Sequence, residues 1–364
     1  MPLDSSLADS MNRTSADFTE DPGRRAIFQE MIRTRDRGAP PITVVNDVDK
    51  EPCPPFEFDW TNEMLFGEGV PRKDKDLKGC GCLGPCDPYS KTCACIVRQN
   101  YWLGEIGEGG FAYGPDGQIM FCHAAVFECN EACGCSEDCQ NRVVQNGRKC
   151  KLLLKKTRNK GWGVFADEFI PNGRFIGVYA GELLTDEEAH NRGLLYDKLG
   201  RTYLFNLDFV HLRDGLSSQK APGSRESSAT AESDKSAWKS KYAVDAFHAG
   251  NHTRFLNHSC DPNIELYPIY TDDADLEKPL LCAFTCKNVQ RGEELCFSYH
   301  SEEGEGEPQQ RDFSGEEAIV RGRCLCGAAN CKGYMFRYSN VDDDEEEQQE
   351  ENEEGGESGD AMET

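Results

Sequence analysis

Apolar residues in this chain come in short runs broken by Gly, Pro, Asn and Asp, the pattern of many short strands rather than of long helices. Ile42-Thr43-Val44-Val45-Asn46 reads as a short strand, and Pro52 to Phe66, with Phe56, Phe58 and Trp60, as an extended wrap against a core. Leu152-Leu153-Leu154, the turn Asn159-Lys160-Gly161 and the return Gly161-Trp162-Gly163-Val164-Phe165 read as a hairpin, whose glycines let a ligand approach the backbone. Phe175 to Leu184 predicts a strand, and Thr185-Asp186-Glu187-Glu188 a helix N-terminus with acids in its first turn. Tyr203 to Phe209 alternates as a strand does, and Tyr242-Ala243-Val244-Asp245, Ile264 to Tyr270, Leu280 to Cys286 and Gly292 to Tyr299 continue the series. The expected class is β-rich α+β, built from several small twisted β-sheets.

The same pattern sets boundaries. Residues 1–39 are polar without a sustained period and read as a disordered arm, and 40–79 as an N-terminal wrap. A cysteine-rich segment over 80–145 precedes the largest domain, 150–300, which carries a Ser/Ala/Lys/Glu-rich flexible insertion at 213–241. An acidic linker over 301–320, a second cysteine segment over 321–337 and a disordered acidic tail over 338–364 complete the chain.

Charge and cysteine narrow the chemistry. Of the net charge of −25 in 364 residues, about half lies in the tail, where Asp342 to Thr364 holds 13 acids and no Lys or Arg. Such a chain repels nucleic acid and attracts basic partners, so sequence-specific DNA binding is not expected. Met1 to Ser10 has neither a basic start nor an apolar run, and no stretch approaches the roughly 18 apolar residues of a membrane span. The chain reads as soluble and intracellular, a compartment in which 19 cysteines mean metal rather than disulfides.

Nine of those cysteines, Cys80, Cys82, Cys86, Cys93, Cys95, Cys129, Cys133, Cys135 and Cys139, fall in one segment. Nine thiolates fill the twelve positions of three tetrahedral zinc ions if three of them bridge two metals each, and the spacing leaves open which three. With sulfur in every position, no site remains for a reactive water, so this cluster is structural. Cys324, Cys326 and Cys331 form a second group, one thiolate short of a tetrahedral site. Cys53, Cys122, Cys150, Cys282, Cys286 and Cys296 read as small apolar packing residues.

The remaining candidate chemistry sits in Arg254-Phe255-Leu256-Asn257-His258-Ser259-Cys260-Asp261-Pro262-Asn263. It has too many hydrogen-bonding groups for a core strand and ends in a forced turn. On composition alone, a binding loop and an ordinary Asn/Pro-rich turn fit it equally well.

Arg-Phe-x-Asn-His-Ser-Cys-x-Pro-Asn resembles the cofactor signature of the SET-domain lysine methyltransferases, and the cysteine pattern resembles the suppressor-of-variegation group, which methylates lysine 9 of histone H3. The resemblance runs from about Gly79 to Phe336 and implies a SET fold with a threaded, knot-like crossing, flanked by pre-SET and post-SET zinc segments, with no chromodomain. It implies S-adenosylmethionine held by Lys160, Gly161, Trp162, Gly163, Tyr203, Arg254, Asn257, His258 and Phe336, where relatives often have Trp. It places Phe205 and Phe297 along a lysine channel, Tyr179 and Tyr299 as hydroxyls orienting the amine, and Asp208 at the rim beside the substrate. Cys260 becomes the fourth zinc ligand with Cys324, Cys326 and Cys331, giving four ions in all. The expected partners are the histone H3 tail and chromatin, the expected place nuclear heterochromatin, and the expected state a monomer within a larger silencing complex. Two other readings stay open: a SET enzyme acting on a non-histone protein, and a catalytically silent zinc-rich scaffold, against which the presence of both tyrosines argues.

Overall fold

The computed structural model describes residues 22–74, 76–103, 110–120, 125–199, 203–209, 240–299 and 318–339. Apart from Ser240 and Lys241, the expected insertion lies outside them, as do residues 300–317 of the linker and the tail from 340 onward. The chain divides into two compact units. The first comprises Met1–Asn257 and Asn263–Cys296, the second His258–Pro262 and Phe297–Thr364.

The first unit opens with helix α1 (Pro22–Arg35), then β1 (Ile42–Val45), β2 (Asp59–Trp60), β3 (Leu65–Phe66), α2 (Ala94–Leu103) and β4 (Val126–Phe127). There follow β5 (Leu152–Lys156), β6 (Trp162–Ala166), β7 (Phe175–Val178), β8 (Glu182–Thr185), helix α3 (Asp186–Leu199) and β9 (Leu204–Asn206). Next come β10 (Tyr242–Asp245), β11 (Ala249–Gly250), a 3-10 turn (His252–Phe255), β12 (Asn257–His258), β13 (Ile264–Tyr270), β14 (Leu280–Thr285) and β15 (Glu294–Phe297). β1, β5, β6 and β15 lie side by side in one sheet, β3-β8-β10-β9 form a second and β4-β13-β14-β7 a third. β14 is buried from Leu281 to Thr285, so it reads as one continuous apolar run rather than as an alternation. Tyr113, Phe175, Tyr267 and Phe284 pack on the third sheet, and Tyr179, Leu183, Val244 and Leu281 form the core beside the second. Of the stretch 203–209, Leu204–Asn206 forms the strand along β10, with the Tyr203 carbonyl and the Leu207 amide also bonded to Ala246 and Tyr242, while Thr185 caps α3 by accepting from the Glu188 amide.

The disordered arm expected over 1–39 needs correction, because Pro22–Arg35 is helical. Phe28 and Ile32, one turn apart, are buried, with Phe28 edge-on to Phe56 and Trp60 at 5.4 and 6.2 Å. The apolar stripe is one residue wide, and Ile27 points to solvent, so the periodicity is too weak to stand out. The wrap works as three added strands: β1 runs parallel to β5, β2 to β11 and β3 to β8.

The second unit carries a hairpin, β16 (Ala318–Arg323) against β17 (Tyr334–Ser339), with Ala318 opposite Ser339 and Arg323 opposite Tyr334. The expected linker end at 320 and tail start at 338 are therefore corrected, since β-branched Ile319 and Val320 favour extended backbone that Tyr338 and Arg337 pair with. Among the described residues no helix is long and apolar enough to cross a membrane.

His252 stands at the junction of the wrap and the 3-10 turn. It is buried, stacks on Trp60 at 6.4 Å, and has Nε2 2.9 Å from the Ile176 carbonyl. Burial, aided by the Arg148 charge, lowers it to about 4. Its folded pKa lies below its unfolded one, so the unfolded chain binds the extra proton and stability falls as pH drops from about 6.5 to about 4. That loss amounts to about 3 kcal/mol from this group. Urea midpoints across the window should therefore fall more steeply for the wild type than for His252→Gln; parallel curves would contradict the assignment.

Candidate active site and metal centres

The turn that the sequence marks for a cofactor is held from two sides. Gly161 takes a positive φ of 71°, and a Cβ there would meet nothing within 4 Å, so this face of the turn is open. The other face is packed: a Cβ on Gly163 would stand 2.8 Å from Glu294 Oε1 and 3.0 Å from Asn257 Nδ2. Asn257 Nδ2 donates to the Trp162 carbonyl at 3.2 Å and to Glu294 Oε1 at 2.8 Å, while Lys160 pairs with Glu294 Oε2. Glu294 thus fixes two of the predicted cofactor residues. The sequence gives it no prominence, because it is one acid in an acid-rich chain; its only signal is a charged residue beginning an otherwise apolar strand.

Arg254 is enclosed by aromatic rings, its guanidinium carbon 4.1 Å from the Phe58 centroid and 4.3 Å from that of Tyr203. Nε donates to the Ala246 carbonyl at 2.8 Å, and burial lowers its pKa. Tyr203 also meets Phe247, which stacks on Tyr196 at 4.7 Å. The Tyr196 hydroxyl donates to buried Asp245, which Arg192 of α3 pairs with at 2.9 Å. Tyr179 is buried, its ring 6.1 Å from Phe205, and its hydroxyl donates to the Tyr203 carbonyl at 3.1 Å. Burial pushes this phenol above its ordinary value, so it remains protonated. Asp208 is exposed just beyond β9.

Within the second unit, His258 Nδ1 accepts from the Tyr299 amide at 3.0 Å, and the two rings lie 5.3 Å apart. Phe297 is buried with its ring 4.8 Å from that of Tyr299. Phe336 occupies a backbone position on β17 opposite Arg321, and its side chain lies outside the described residues.

Four sulfurs held at about 2.3 Å around a tetrahedral zinc stand about 3.8 Å from one another. The cysteines meet that spacing, with Cys80–Cys86 at 3.7 Å, Cys86–Cys129 at 3.8 Å, Cys95–Cys133 at 3.6 Å and Cys129–Cys139 at 3.9 Å. Three groups gather sulfurs within 4.8 Å: Cys80, Cys82, Cys86 and Cys93; Cys80, Cys86, Cys129 and Cys135; Cys95, Cys129 and Cys133. Cys80, Cys86 and Cys129 each belong to two groups, and three shared thiolates is the number the ligand count requires. Cys260, Cys324, Cys326 and Cys331 form the separate quartet, with Cys260 and Cys324 3.9 Å apart. The all-sulfur donor set at this spacing suits zinc. Among the described residues no disulfide joins the cysteines; Cys53, Cys150, Cys282 and Cys296 are buried, Cys286 is partly exposed, and Cys122 lies outside the described residues.

Small sheets bearing an Asn-His-Ser-Cys loop, with thiol clusters before and after it in sequence, define the architecture of a SET domain with pre-SET and post-SET segments. The SET domain family matches residues 161–300 and the Pre-SET motif matches residues 34–142. A Cryptococcus neoformans protein named histone-lysine N-methyltransferase, H3 lysine-9 specific, is 38% identical over 92% of this chain, and the chain spans 21% of that protein's length. The structure of the Neurospora SET domain protein DIM-5, a histone lysine methyltransferase, is 30% identical with a TM-score of 0.58, over 72% of this chain and 96% of that one. Arabidopsis thaliana SUVH6 in complex with SAM is 27% identical with a TM-score of 0.62, over 92% of this chain and 60% of that one. The chain belongs to the SET-domain family, in its suppressor-of-variegation group.

Proposed function

We propose that this chain is an S-adenosylmethionine-dependent protein lysine methyltransferase that modifies lysine 9 of histone H3 up to the trimethyl state. The observation that carries this is the bond from Asn257 to the Trp162 carbonyl: it joins two segments, 95 residues apart, that the resemblance assigns to one cofactor. The names of the Cryptococcus and Neurospora relatives support the substrate class, and the SUVH6 complex supports the cofactor. Four structural zinc ions complete the chain, three in the pre-SET cluster, with Cys80, Cys86 and Cys129 bridging, and one on the Cys260 quartet. The place of action is nuclear chromatin in heterochromatin, as a monomer within a silencing complex.

S-adenosylmethionine supplies a sulfonium methyl group to an in-line nucleophile. Lys160, Gly161, Trp162, Gly163, Tyr203, Arg254, Asn257, His258 and Phe336 would hold it. A free lysine amine has a pKa of about 10.4 and must lose its proton before it attacks. Phe205 and Phe297 provide apolar surroundings that disfavour the ammonium form and exclude water. Tyr179 has its proton committed to the Tyr203 carbonyl, so its oxygen is left to accept from the amine, and the resemblance assigns the Tyr299 hydroxyl to the same amine. Neither need act as a strong base. Asp208 reads a basic neighbour of the substrate lysine.

Mass spectrometry of an H3 tail peptide tests this. The wild type should run through to trimethyl-lysine. Phe297→Tyr should stall at mono- or dimethyl-lysine, because an added hydroxyl holds the amine and fills the space that a methylated nitrogen needs. One hydrogen bond, worth about 0.5–1.5 kcal/mol, biases each step up to about tenfold. An inert chain would favour the scaffold reading, and a wild type that stops at monomethyl would refute the argument from space at this position. Methylation of other sequences in preference to H3 on a peptide array would favour a non-histone substrate.

A further inference from the structure

The wrap delivers a carboxylate to the cofactor turn from outside the SET region. After β1 the chain reverses at Asn46, whose Oδ1 accepts from the Val48 and Asp49 amides and whose Nδ2 donates to the Glu51 carbonyl at 2.6 Å. The Glu51 amide is itself held by Asp49 Oδ1 at 3.0 Å. The Glu51 main chain is therefore fixed on both sides, and its side chain, 18% exposed, is aimed at β5 and β6. There Oε2 accepts from the indole Nε1 of Trp162 at 3.2 Å and also pairs with Lys156, whose ammonium lies 5.5 Å from the Trp162 ring centroid. Lys156 and Trp162 face each other as the register pair next to the turn, so one carboxylate clamps both residues that close the hairpin.

We infer that Glu51 is a positioning residue for S-adenosylmethionine binding, acting through the indole of Trp162. Asn257 holds the Trp162 main chain by its carbonyl, and Glu51 holds its side chain by the ring nitrogen. Together they leave the residue between Gly161 and Gly163 one orientation. A 7%-exposed indole has packing on its faces, but rotation about χ2 would bury its N–H without an acceptor, and the carboxylate removes that alternative. The inference rests on the proposed cofactor reading and adds to it a residue of the pre-SET match.

Calorimetric binding of S-adenosylhomocysteine to the full zinc-loaded chain tests it without turnover. Glu51→Ala should raise Kd about tenfold, the scale of one charge-assisted hydrogen bond, with the H3 peptide KM unchanged. Glu51→Gln, which keeps an oxygen acceptor for the indole, should recover most of that loss. In Trp162→Phe, which keeps a ring and loses the N–H, adding Glu51→Ala should weaken binding by less than about twofold further, the non-additivity of two groups acting through one bond. Equal losses in both backgrounds, or a Glu51→Ala chain that binds normally, would overturn the inference, as would a lowered melting temperature that accounts for the whole effect in Glu51→Ala and Glu51→Gln alike. A wild-type chain that fails to bind S-adenosylhomocysteine at all would instead overturn the cofactor reading on which it stands.

Discussion

Cys129→Ser is expected to leave a chain that neither retains its pre-SET zinc nor folds. Cys129 is common to two sulfur groups, 3.8 Å from Cys86 and 3.9 Å from Cys139, so one substitution removes a ligand from two ions. Zinc sites of this kind contribute about 10–16 kcal/mol of apparent binding energy, against a net stability of about 5–15 kcal/mol for a whole domain. The buried cluster in which these sulfurs lie holds little besides them, only Ile96 and Phe111. Metal content per chain and the melting curve check this. Cys53→Ser provides the contrast, because that thiol is buried against the Arg24 carbonyl and belongs to no sulfur group among the described residues. It should keep full zinc. A Cys129→Ser protein with undiminished zinc and an ordinary transition would dismiss the shared-thiolate assignment.

Tyr179→Phe should lower kcat by about a hundredfold, the scale of losing a positioned polar contact at a reacting group, while changing the cofactor Kd much less. The hydroxyl lies in a packed region, so its removal also takes one of two donors from the Tyr203 carbonyl, which keeps the Ala246 amide at 3.1 Å, at a cost of about 0.5–1.5 kcal/mol. Single-turnover kinetics separate the two effects. The pH profile offers a second check: a phenol pushed upward by burial does not titrate in the working range, so wild type and variant should share one profile shape. A variant with an unchanged single-turnover rate would remove Tyr179 from the chemistry.

What the sequence revealed follows from which signals survive without tertiary context. Cysteine spacing survives because sulfur chemistry is local in kind: eight of the nine marked cysteines fall into sulfur groups, Cys139 lies 3.9 Å from Cys129, and Cys260 joins Cys324, Cys326 and Cys331. β13 and β14 were legible because their runs are long and apolar. The Asn159-Lys160-Gly161 turn was legible because its left-handed last residue, at φ 71°, favours glycine. Helix α1 was not, since two buried residues on a polar background make no period. β9 spans three of the seven alternating residues, because alternation predicts extended backbone and says nothing of how long a regular strand it makes. Glu51 and Glu294 were invisible for another reason. Their meaning lies in the indole, amide and ammonium groups they meet across 111, 37 and 134 residues, and no composition records those meetings.

The three parallel pairings of the wrap bear on how the chain is made. β1, β2 and β3 leave the ribosome early, yet their partners β5, β8 and β11 are encoded far downstream, with Asp59 waiting for Ala249 about 190 residues later. At about 5–20 residues per second, Trp60 and its neighbours stay unpaired for about ten to forty seconds of synthesis. During that time Phe28, Phe56, Phe58 and Trp60 can cover one another but lack their downstream partners. β2 is thus made about 190 residues before its partner, and recombinant yield should depend on translation speed and growth temperature more than on the stability of the finished protein.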